Sequence, residues 1–171
     1  MNVLKFLIAL LLLASWSCSR KSAVELYTEG RQAEDQQNFR LAVERFDELA
    51  GRFQDSPYAE SSLTRSAVIY NNELHDIPRS IGAYRQIYTR FPSSKQAPTA
   101  LFLTAFLYNN DLHKTDSARM AYEDFLRRYP AHELAVSAKF EIENLGKDPS
   151  DFMKGDVTSA ESGAEKKASK Q

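Results

Sequence analysis

Cysteine is almost missing from this chain of 171 residues, since Cys18 is the only one, so no intrachain disulfide can form. An excess of charge of either sign is also missing. The 22 Lys and Arg residues balance 23 Asp and Glu residues, which excludes the basic footprint of a nucleic-acid-binding protein. The six glycines are scattered and form no loop that would cradle a phosphate. Adjacent acidic residues such as Asp47 and Glu48 point apart on a helix, so they indicate solvated faces. We therefore predict no catalytic site, no metal site, no cofactor and no small-molecule substrate.

Long hydrophobic runs are also lacking, apart from the stretch from Phe6 to Ala14, which is too short to span a bilayer as a permanent anchor. Lys5 precedes this stretch, and Ser15-Trp16-Ser17-Cys18 follows it. The arrangement resembles the lipobox of bacterial lipoproteins, in which the cysteine is acylated and becomes the mature N-terminus. We interpret residues 1–17 as a signal peptide, Cys18 as the lipidated residue and 18–21 as a short linker. The alternative is ordinary secretory cleavage that leaves an unpaired thiol.

What the chain does have is an internal repeat. Leu63 recurs as Leu101, an offset of 38 residues, and the neighbouring positions keep this offset. The first matched set pairs Leu63, Ala67, Tyr70, Asn71, Asn72, Leu74 and His75 with Leu101, Ala105, Tyr108, Asn109, Asn110, Leu112 and His113. The second set runs through three copies: Ala42, Phe46, Leu49, Arg52 and Phe53; Ser80, Tyr84, Ile87, Arg90 and Phe91; Ala118, Tyr122, Phe125, Arg128 and Tyr129. A fixed period of this size indicates a stacked-repeat architecture.

Within each period the apolar residues are three and four positions apart, which predicts two amphipathic helices, A and B. A single helical hairpin cannot bury both apolar stripes, so each hairpin must stack on its neighbours. The unit resembles the tetratricopeptide repeat over roughly residues 22–146. In the third copy its places are taken by Leu101, Ala105, Tyr108, Ala118, Tyr122, Phe125 and Tyr129-Pro130. In the first copy Gly30 takes the small place of helix A. The period is longer than the usual 34 or so, partly through one extra residue in the A–B turn.

We therefore predict an all-α fold, a right-handed superhelical array of three helix pairs with a C-terminal capping helix. The predicted units are about 22–56, 57–94 and 95–131, the capping helix is 132–145, and 147–171 is a disordered polar tail. Lys139 and Glu143 stand where Leu101 and Ala105 stood, which is expected of a helix face that meets no further repeat. The predicted helix-starting residues are Ser22, Ser56, Asp76, Ser94, and Thr115 or Asp116. Arg52, Arg90 and Arg128 are expected in the last turns of the B helices, where a cation complements the helix dipole.

The resemblance implies that the A helices line a concave groove that binds a partner. By that resemblance the groove residues are Tyr27, Arg31, Glu34, Thr64, Val68, Asn71, Phe102, Phe106 and Asn109. Phe102 and Phe106, with Phe140 in register with Phe102, would anchor the partner; the alternative is that they pack internally or under the tail. A basic clamp for peptide carboxylates is not indicated, since the counterpart of Arg65 is Leu103. His75 and His113, both in A–B turns, are interpreted as capping or packing residues rather than ligands.

Together these features predict a non-enzymatic adaptor on the periplasmic face of the bacterial outer membrane, whose partner is an envelope protein or peptide. The lipobox and the repeats together resemble the BamD family of outer-membrane assembly lipoproteins. The repeats also resemble the C-terminal domain of the Tol-Pal-associated YbgF family. A soluble periplasmic location is the alternative to the membrane anchor. The alternative function is a structural subunit of a larger envelope complex that contacts partners through its helix edges. Exposed apolar residues on the third B helix or on the capping helix would favour that alternative, and aromatic residues in the groove would favour the adaptor.

Overall fold

The computed structural model describes residues 20–147, and within that range the chain is all-helical, with seven α-helices and no strand. The helices are α1 (Ala23–Asp35), α2 (Phe39–Arg52), α3 (Ala59–Asn72), α4 (Ile77–Arg90), α5 (Gln96–Asn110), α6 (Thr115–Arg128) and α7 (Ala135–Asn144). The predicted signal peptide, the lipidation at Cys18 and most of the predicted polar tail lie outside the described residues. No helix of the described part is both long and apolar enough to cross a membrane.

The predicted order of three A–B helix pairs followed by a capping helix is confirmed. Helices α1, α3 and α5 are the A helices, α2, α4 and α6 are the B helices, and α7 is the capping helix. Ser22 and Glu25 form a capping box at the start of α1. The Asp76 side chain accepts a hydrogen bond from the Arg79 backbone N–H at the start of α4, 3.1 Å away. These two local sequence signals were therefore sufficient to place two of the helix starts.

Two other predicted starts are wrong by one or two residues. Helix α3 begins at Ala59 rather than directly after Ser56, and α5 begins at Gln96 rather than directly after Ser94. In both places the chain first makes a tighter turn, whose backbone hydrogen bonds span three residues, such as Ala59 N–H to the Ser56 carbonyl at 3.0 Å. The serine hydroxyls accept hydrogen bonds within these turns instead of capping the α-helices. Helix α6 does begin at Thr115, but neither Thr115 nor Asp116 is its cap; Lys114 occupies that position and makes no capping hydrogen bond through its side chain.

The A–B turns explain the extra residue of the longer period. In the first pair the turn is closed by a hydrogen bond from Asn38 N–H to the Ala33 carbonyl at 2.8 Å. In the third pair the bond runs from Lys114 N–H to the Tyr108 carbonyl at 2.7 Å, and it spans one residue more. The A–B turn of the second pair is closed by a backbone hydrogen bond that spans the same number of residues as in the third. The predicted lengthening of the turn is therefore confirmed.

The repeated turn histidines have a backbone role. His75 and His113 both have φ of 51°, and Gln37 holds the equivalent place in the first turn with φ of 58°. This left-handed conformation is uncommon for residues other than glycine, and histidine is among the residues that adopt it more often. Both histidines are exposed. The turn geometry accounts for a residue of special conformation at this place without any ligand.

The chain divides into two compact units, with the boundary after Ile69 inside α3. In the first unit the core is built from one face each of α1 and α2, with Leu26, Phe46 and Leu49 fully buried. Gly30 lies directly against the Phe46 ring, and a Cβ atom placed there would be 2.6 Å from Cε1 of Phe46. The small residue of helix A is therefore required to be glycine in this copy.

In the second unit, which starts at Tyr70, the core is built from α4, α5, α6 and α7. Ala105, Tyr122 and Phe125 are fully buried, and Ile87 is nearly so. Arg90 and Arg128 lie in the last turns of α4 and α6, as predicted, and Arg52 has the same place in α2 of the first unit. At the end of the array Lys139 and Glu143 of α7 are exposed, and Gly146, with φ of 77°, follows the helix.

Candidate partner-binding surfaces

One position of helix A is accessible to solvent in all three repeats. It directly follows the small residue that packs inside, which is Gly30, Ala67 or Ala105, and each of these is buried. Val68 and Phe106 are exposed at this position, and Arg31 is half-buried. Val68 is 41% exposed and Phe106 is 39% exposed, and the Arg31 side chain is 37% exposed. The repeat therefore presents one large side chain per A helix to solvent, and all three belong to the predicted groove set.

In the first unit, the predicted groove residues of α1 form polar contacts with α3 and an aromatic contact with the turn before it. The Tyr27 ring stacks on Tyr58, with ring centroids 4.8 Å apart. Glu34 forms an ion pair with Arg65 of α3 at 2.7 Å. Arg31 lies 3.7 Å from Glu34 and is also within ion-pair distance of Asp35. The charges of this face are thus largely paired with one another.

Arg65 also belongs to this face, although it was left out of the predicted groove set. It reaches both Glu34 and the Tyr27 hydroxyl across α1 and α3. The repeat pattern carried no signal for it, because Leu103 stands at the same place in the next repeat. The pairing of opposite charges on successive A helices was the only available indication.

The ionisation of this cluster follows from its hydrogen bonds. Burial alone would raise the pKa of Tyr27, but the hydrogen bonds with Arg65 and Ser61 outweigh it, so the pKa lies below its ordinary value. Burial alone would lower the pKa of Arg65, yet its contacts with Tyr27 and Glu34 outweigh burial and raise it. Arg65 is therefore a permanent cation whose charge is engaged within the protein.

The remaining polar members of the predicted set form short-range contacts. The Thr64 hydroxyl donates to the Glu60 carbonyl at 3.1 Å, which is a contact within α3. The Asn71 amide donates to the Asn72 side chain at 2.7 Å. Asn109 repeats this contact with Asn110 at 3.3 Å in the next A helix. Both pairs lie at the C-terminal ends of their helices, α3 and α5. In each pair the first asparagine is half-buried and the second is exposed.

The two phenylalanines of α5 have different environments, so they do not form one exposed pair. Phe102 is half-buried, and its ring makes edge contacts with Tyr122 and Phe125 of α6, with centroids 5.4 and 5.8 Å apart. Phe106, one turn later, is exposed. The expectation that both rings face a groove is corrected for Phe102, because its position on the helix points it at the aromatic core of the same repeat.

Other exposed apolar side chains lie on the third B helix and on the capping helix. Met120 of α6 is 70% exposed, and Val136 and Phe140 of α7 are 78% and 57% exposed. Val136 and Phe140 are four residues apart, so they lie on one face of α7. Exposed apolar residues on these two helices were predicted to favour contacts through helix edges, although Phe140 was also predicted as a groove anchor.

No group of His, Cys, Asp and Glu residues within residues 20–147 could hold a metal ion. A comparison with protein families matched residues 99–132 to the tetratricopeptide repeat. The match runs from the first turn of α5 to the turn after α6, so it contains Phe106, Ala105 and the aromatic core of the third helix pair. A search of the curated proteins found no match to the chain. The chain therefore contains a tetratricopeptide repeat, a module that in general mediates protein–protein interactions and serves as a non-enzymatic scaffold.

Proposed function

We propose that this protein is a non-enzymatic adaptor that binds an envelope protein or peptide along its A helices. In this proposal the acylated Cys18 holds it at the periplasmic face of the bacterial outer membrane. The role in outer-membrane assembly or envelope maintenance rests on the likeness of the chain to the BamD and YbgF families. The anchor rests on the lipobox-like residues 15–18.

The observation that carries the proposal is the helix A position at which Val68 and Phe106 are exposed and Arg31 is half-buried. Here an aliphatic and an aromatic residue are exposed at equivalent places on successive A helices. Aromatic side chains that are partly exposed and held by a rigid helix are typical anchors of protein interfaces.

The anchor is tested by cell fractionation of Cys18→Ala. Acylation would hold the wild type in the detergent-extracted membrane fraction, because each buried CH₂ group contributes about 0.8 kcal/mol. We expect the variant to appear in the soluble periplasmic fraction. Membrane association that is unchanged in Cys18→Ala would contradict the lipoprotein interpretation, but it would leave the partner-binding proposal intact.

The partner surface is tested by photo-crosslinking in whole cells. Replacing Phe106 by p-benzoylphenylalanine keeps an aromatic ring at that place, and irradiation should join the protein to one specific partner. The same replacement of Arg119, an exposed residue of α6 outside the A helices, is the matched control and should give no such product. If Phe106 gives no product above the control, partner binding through this position is refuted.

The exposed apolar residues on α6 and α7 favour a second function, that of a structural subunit that contacts its neighbours through its helix edges. Val136 of α7 provides the test, because it is exposed and does not belong to the predicted groove set. A crosslink from p-benzoylphenylalanine at Val136 but not at Phe106 would support the subunit and exclude the adaptor. A crosslink from Phe106 alone would give the opposite result.

A further inference from the structure

The residue three places after the proposed lipid anchor is bound to the first unit. The Lys21 ammonium group pairs with the Glu29 carboxylate of α1. Glu29 is also paired with Arg45 of α2, 2.9 Å away. The Arg52 guanidinium, at the end of α2, donates a hydrogen bond to the Lys21 carbonyl at 3.4 Å. Lys21 was predicted to belong to a short linker, but it is held by both helices of the first pair.

Ser22 continues this attachment at the start of α1. Its backbone N–H donates to the Glu25 carboxylate at 2.7 Å, and its hydroxyl accepts a hydrogen bond from the Glu25 backbone N–H at 3.3 Å. A capping box of this kind fixes the direction in which the chain enters the helix. Lys21 and Ser22 therefore belong to the folded unit rather than to the linker.

This attachment leaves a very short segment between the anchor and the folded unit. Only Ser19 and Arg20 separate Cys18 from Lys21. The three residue steps from Cys18 to Lys21 span at most about 11 Å when fully extended, which is about the diameter of one α-helix with its side chains. If Cys18 carries acyl chains in the bilayer, the start of α1 stays within this distance of the lipid headgroups.

The antiparallel arrangement of α1 and α2 determines which end of the first unit is nearest to the anchor. The hydrogen bond between Arg52 and Lys21 places the end of α2 beside the start of α1. The A–B turn, which the Asn38–Ala33 hydrogen bond closes, lies at the opposite end. Since α1 has 13 residues, the two ends are about 20 Å apart.

Val24 gives the end beside the anchor an exposed apolar side chain. It lies in the first turn of α1 and is 55% exposed, more than Val68 of the same unit. Its equivalents in the other two A helices are Ser61 and Thr99, so the packing of the repeat does not require an apolar residue here. Contact with the boundary between lipid headgroups and acyl chains gives this side chain an apolar environment.

The charges at this end do not select a lipid of either sign. Arg20 and Arg52 are exposed, and so are Glu25 and, three residues after α2, Asp55. The argument for membrane contact therefore depends on the short tether and on Val24.

The side of α1 is less suited to lipid than its end. Beyond the first turn, α1 exposes Thr28, Gln32 and Asp35, none of which is a large apolar residue. Contact through the end of the helix pair therefore places Val24 at the membrane and leaves these polar side chains in water.

We propose that the first unit lies against the membrane through the end formed by Arg20, Val24, Gly51 and Arg52, here called the membrane-facing end. The linker of two residues keeps it there, and the inference rests on the proposed acylation of Cys18. Arg31, seven residues after Val24 on α1, then lies about 10 Å further from the bilayer. A partner segment that binds at this part of the A-helix surface is therefore itself close to the membrane surface.

The test uses the acylated protein, purified from membranes and reconstituted into phosphatidylcholine vesicles. Acylation occupies the only native cysteine, so one introduced cysteine is the single site for a bimane label. Gly51→Cys places the label at the membrane-facing end, because Gly51 is exposed and an added Cβ atom meets no other atom within 4 Å. Gln36→Cys, at an exposed residue beyond the other end of α1, is the matched control.

Quenching by a lipid that carries a nitroxide on its headgroup reports how close each label is to the membrane surface. We expect the label in Gly51→Cys to be quenched at least about threefold more strongly than the label in Gln36→Cys, since the two ends are about 20 Å apart. Equal quenching of both labels, whether strong or weak, would overturn the proposal.

The mass of the N-terminal peptide of the same samples separates this outcome from a failure of the proposed function. Equal quenching in protein with an acylated N-terminus would refute the orientation and leave the anchor intact. An N-terminus without acyl chains would refute the anchor, and the orientation with it.

The tether is tested by inserting about ten residues of alternating glycine and serine between Ser19 and Arg20. Such an insert has a root-mean-square end-to-end distance of roughly 17 Å. The protein should remain in the membrane fraction, whereas quenching of the label in Gly51→Cys should fall by about half because the unit can move away from the surface. Quenching that the insert leaves unchanged would show that the short linker does not hold this end at the membrane, and would overturn the proposal.

Discussion

Phe102 and Phe106 of α5 offer a matched pair for separating packing from surface, because they are the same residue type one turn apart on one helix. Truncating each to alanine removes the same atoms. The Phe102 ring is half-buried and makes edge contacts with Tyr122 and Phe125. Phe106 is 39% exposed, and the structure assigns it no contact with another aromatic ring in the described part of the chain.

The expected costs follow from these environments. Full burial of a phenylalanine contributes about 1.5–3 kcal/mol, so the buried share of Phe106 contributes about 1–1.5 kcal/mol, and no cavity is left at the surface. Phe102→Ala loses a similar or larger transfer term, two aromatic contacts of about 0.5–1.5 kcal/mol each, and creates a partial cavity. We therefore expect about 3 kcal/mol for Phe102→Ala and about 1 kcal/mol for Phe106→Ala.

Urea unfolding followed by circular dichroism at 222 nm measures both free energies of unfolding, and thermal unfolding provides a check. A difference of about 2 kcal/mol corresponds to roughly 8 °C in Tm for a domain of this size. The partner identified by crosslinking should at the same time no longer co-purify with the Phe106→Ala variant. If Phe106→Ala destabilises the protein as much as Phe102→Ala does, Phe106 is a core residue and the assignment of the A-helix surface is wrong.

Three further predictions concern side chains of the second unit. The buried Tyr122 hydroxyl has no hydrogen-bond partner within the described residues. Tyr122→Phe, which gives this position the residue type of Phe46, should therefore leave the free energy of unfolding unchanged or raise it by up to about 1 kcal/mol. A loss above about 1 kcal/mol in a urea melt would contradict this. Burial raises the pKa of Glu141 above 4.5, so the folded state keeps its proton to a higher pH than the unfolded chain does, and the contribution of this group to stability falls as pH rises through that window. Glu141→Gln should therefore be more stable than wild type at pH 7 and equal to it at pH 3, and a gain that persists at pH 3 would refute the burial argument. His113→Gly relieves a left-handed conformation and should raise stability by about 0.5 kcal/mol, whereas the control Lys114→Gly, at φ of −98°, should lower it.

The architecture could be predicted from the sequence because the packing positions recur in each copy of the repeat. Gly30, Ala67 and Ala105 each had to be small, since a larger side chain would hold the paired helices apart. The periods of three and four residues identified the helices, and the turn length was readable from the spacing between the small residues. These are local and periodic properties, so no knowledge of distant contacts was needed. The starts of α3 and α5 were misplaced because a proline and a serine allow either a capped α-helix or a tighter turn.

The candidate sites were less predictable, because they depend on residues that break the repeat. Arg65 has no basic counterpart in register, and the pattern therefore gave no reason to select it. Its partner Glu34 is 31 residues away in the chain, so only the packing of neighbouring helices brings the two together. Phe102 and Phe106 are the same residue type one turn apart, so the sequence does not distinguish them. The orientation of α5 against α6 makes Phe102 a packing residue and Phe106 a surface residue. Periodicity thus determines which helices form and which residues they bury, whereas the environment of an individual polar or aromatic side chain depends on the helix that lies opposite.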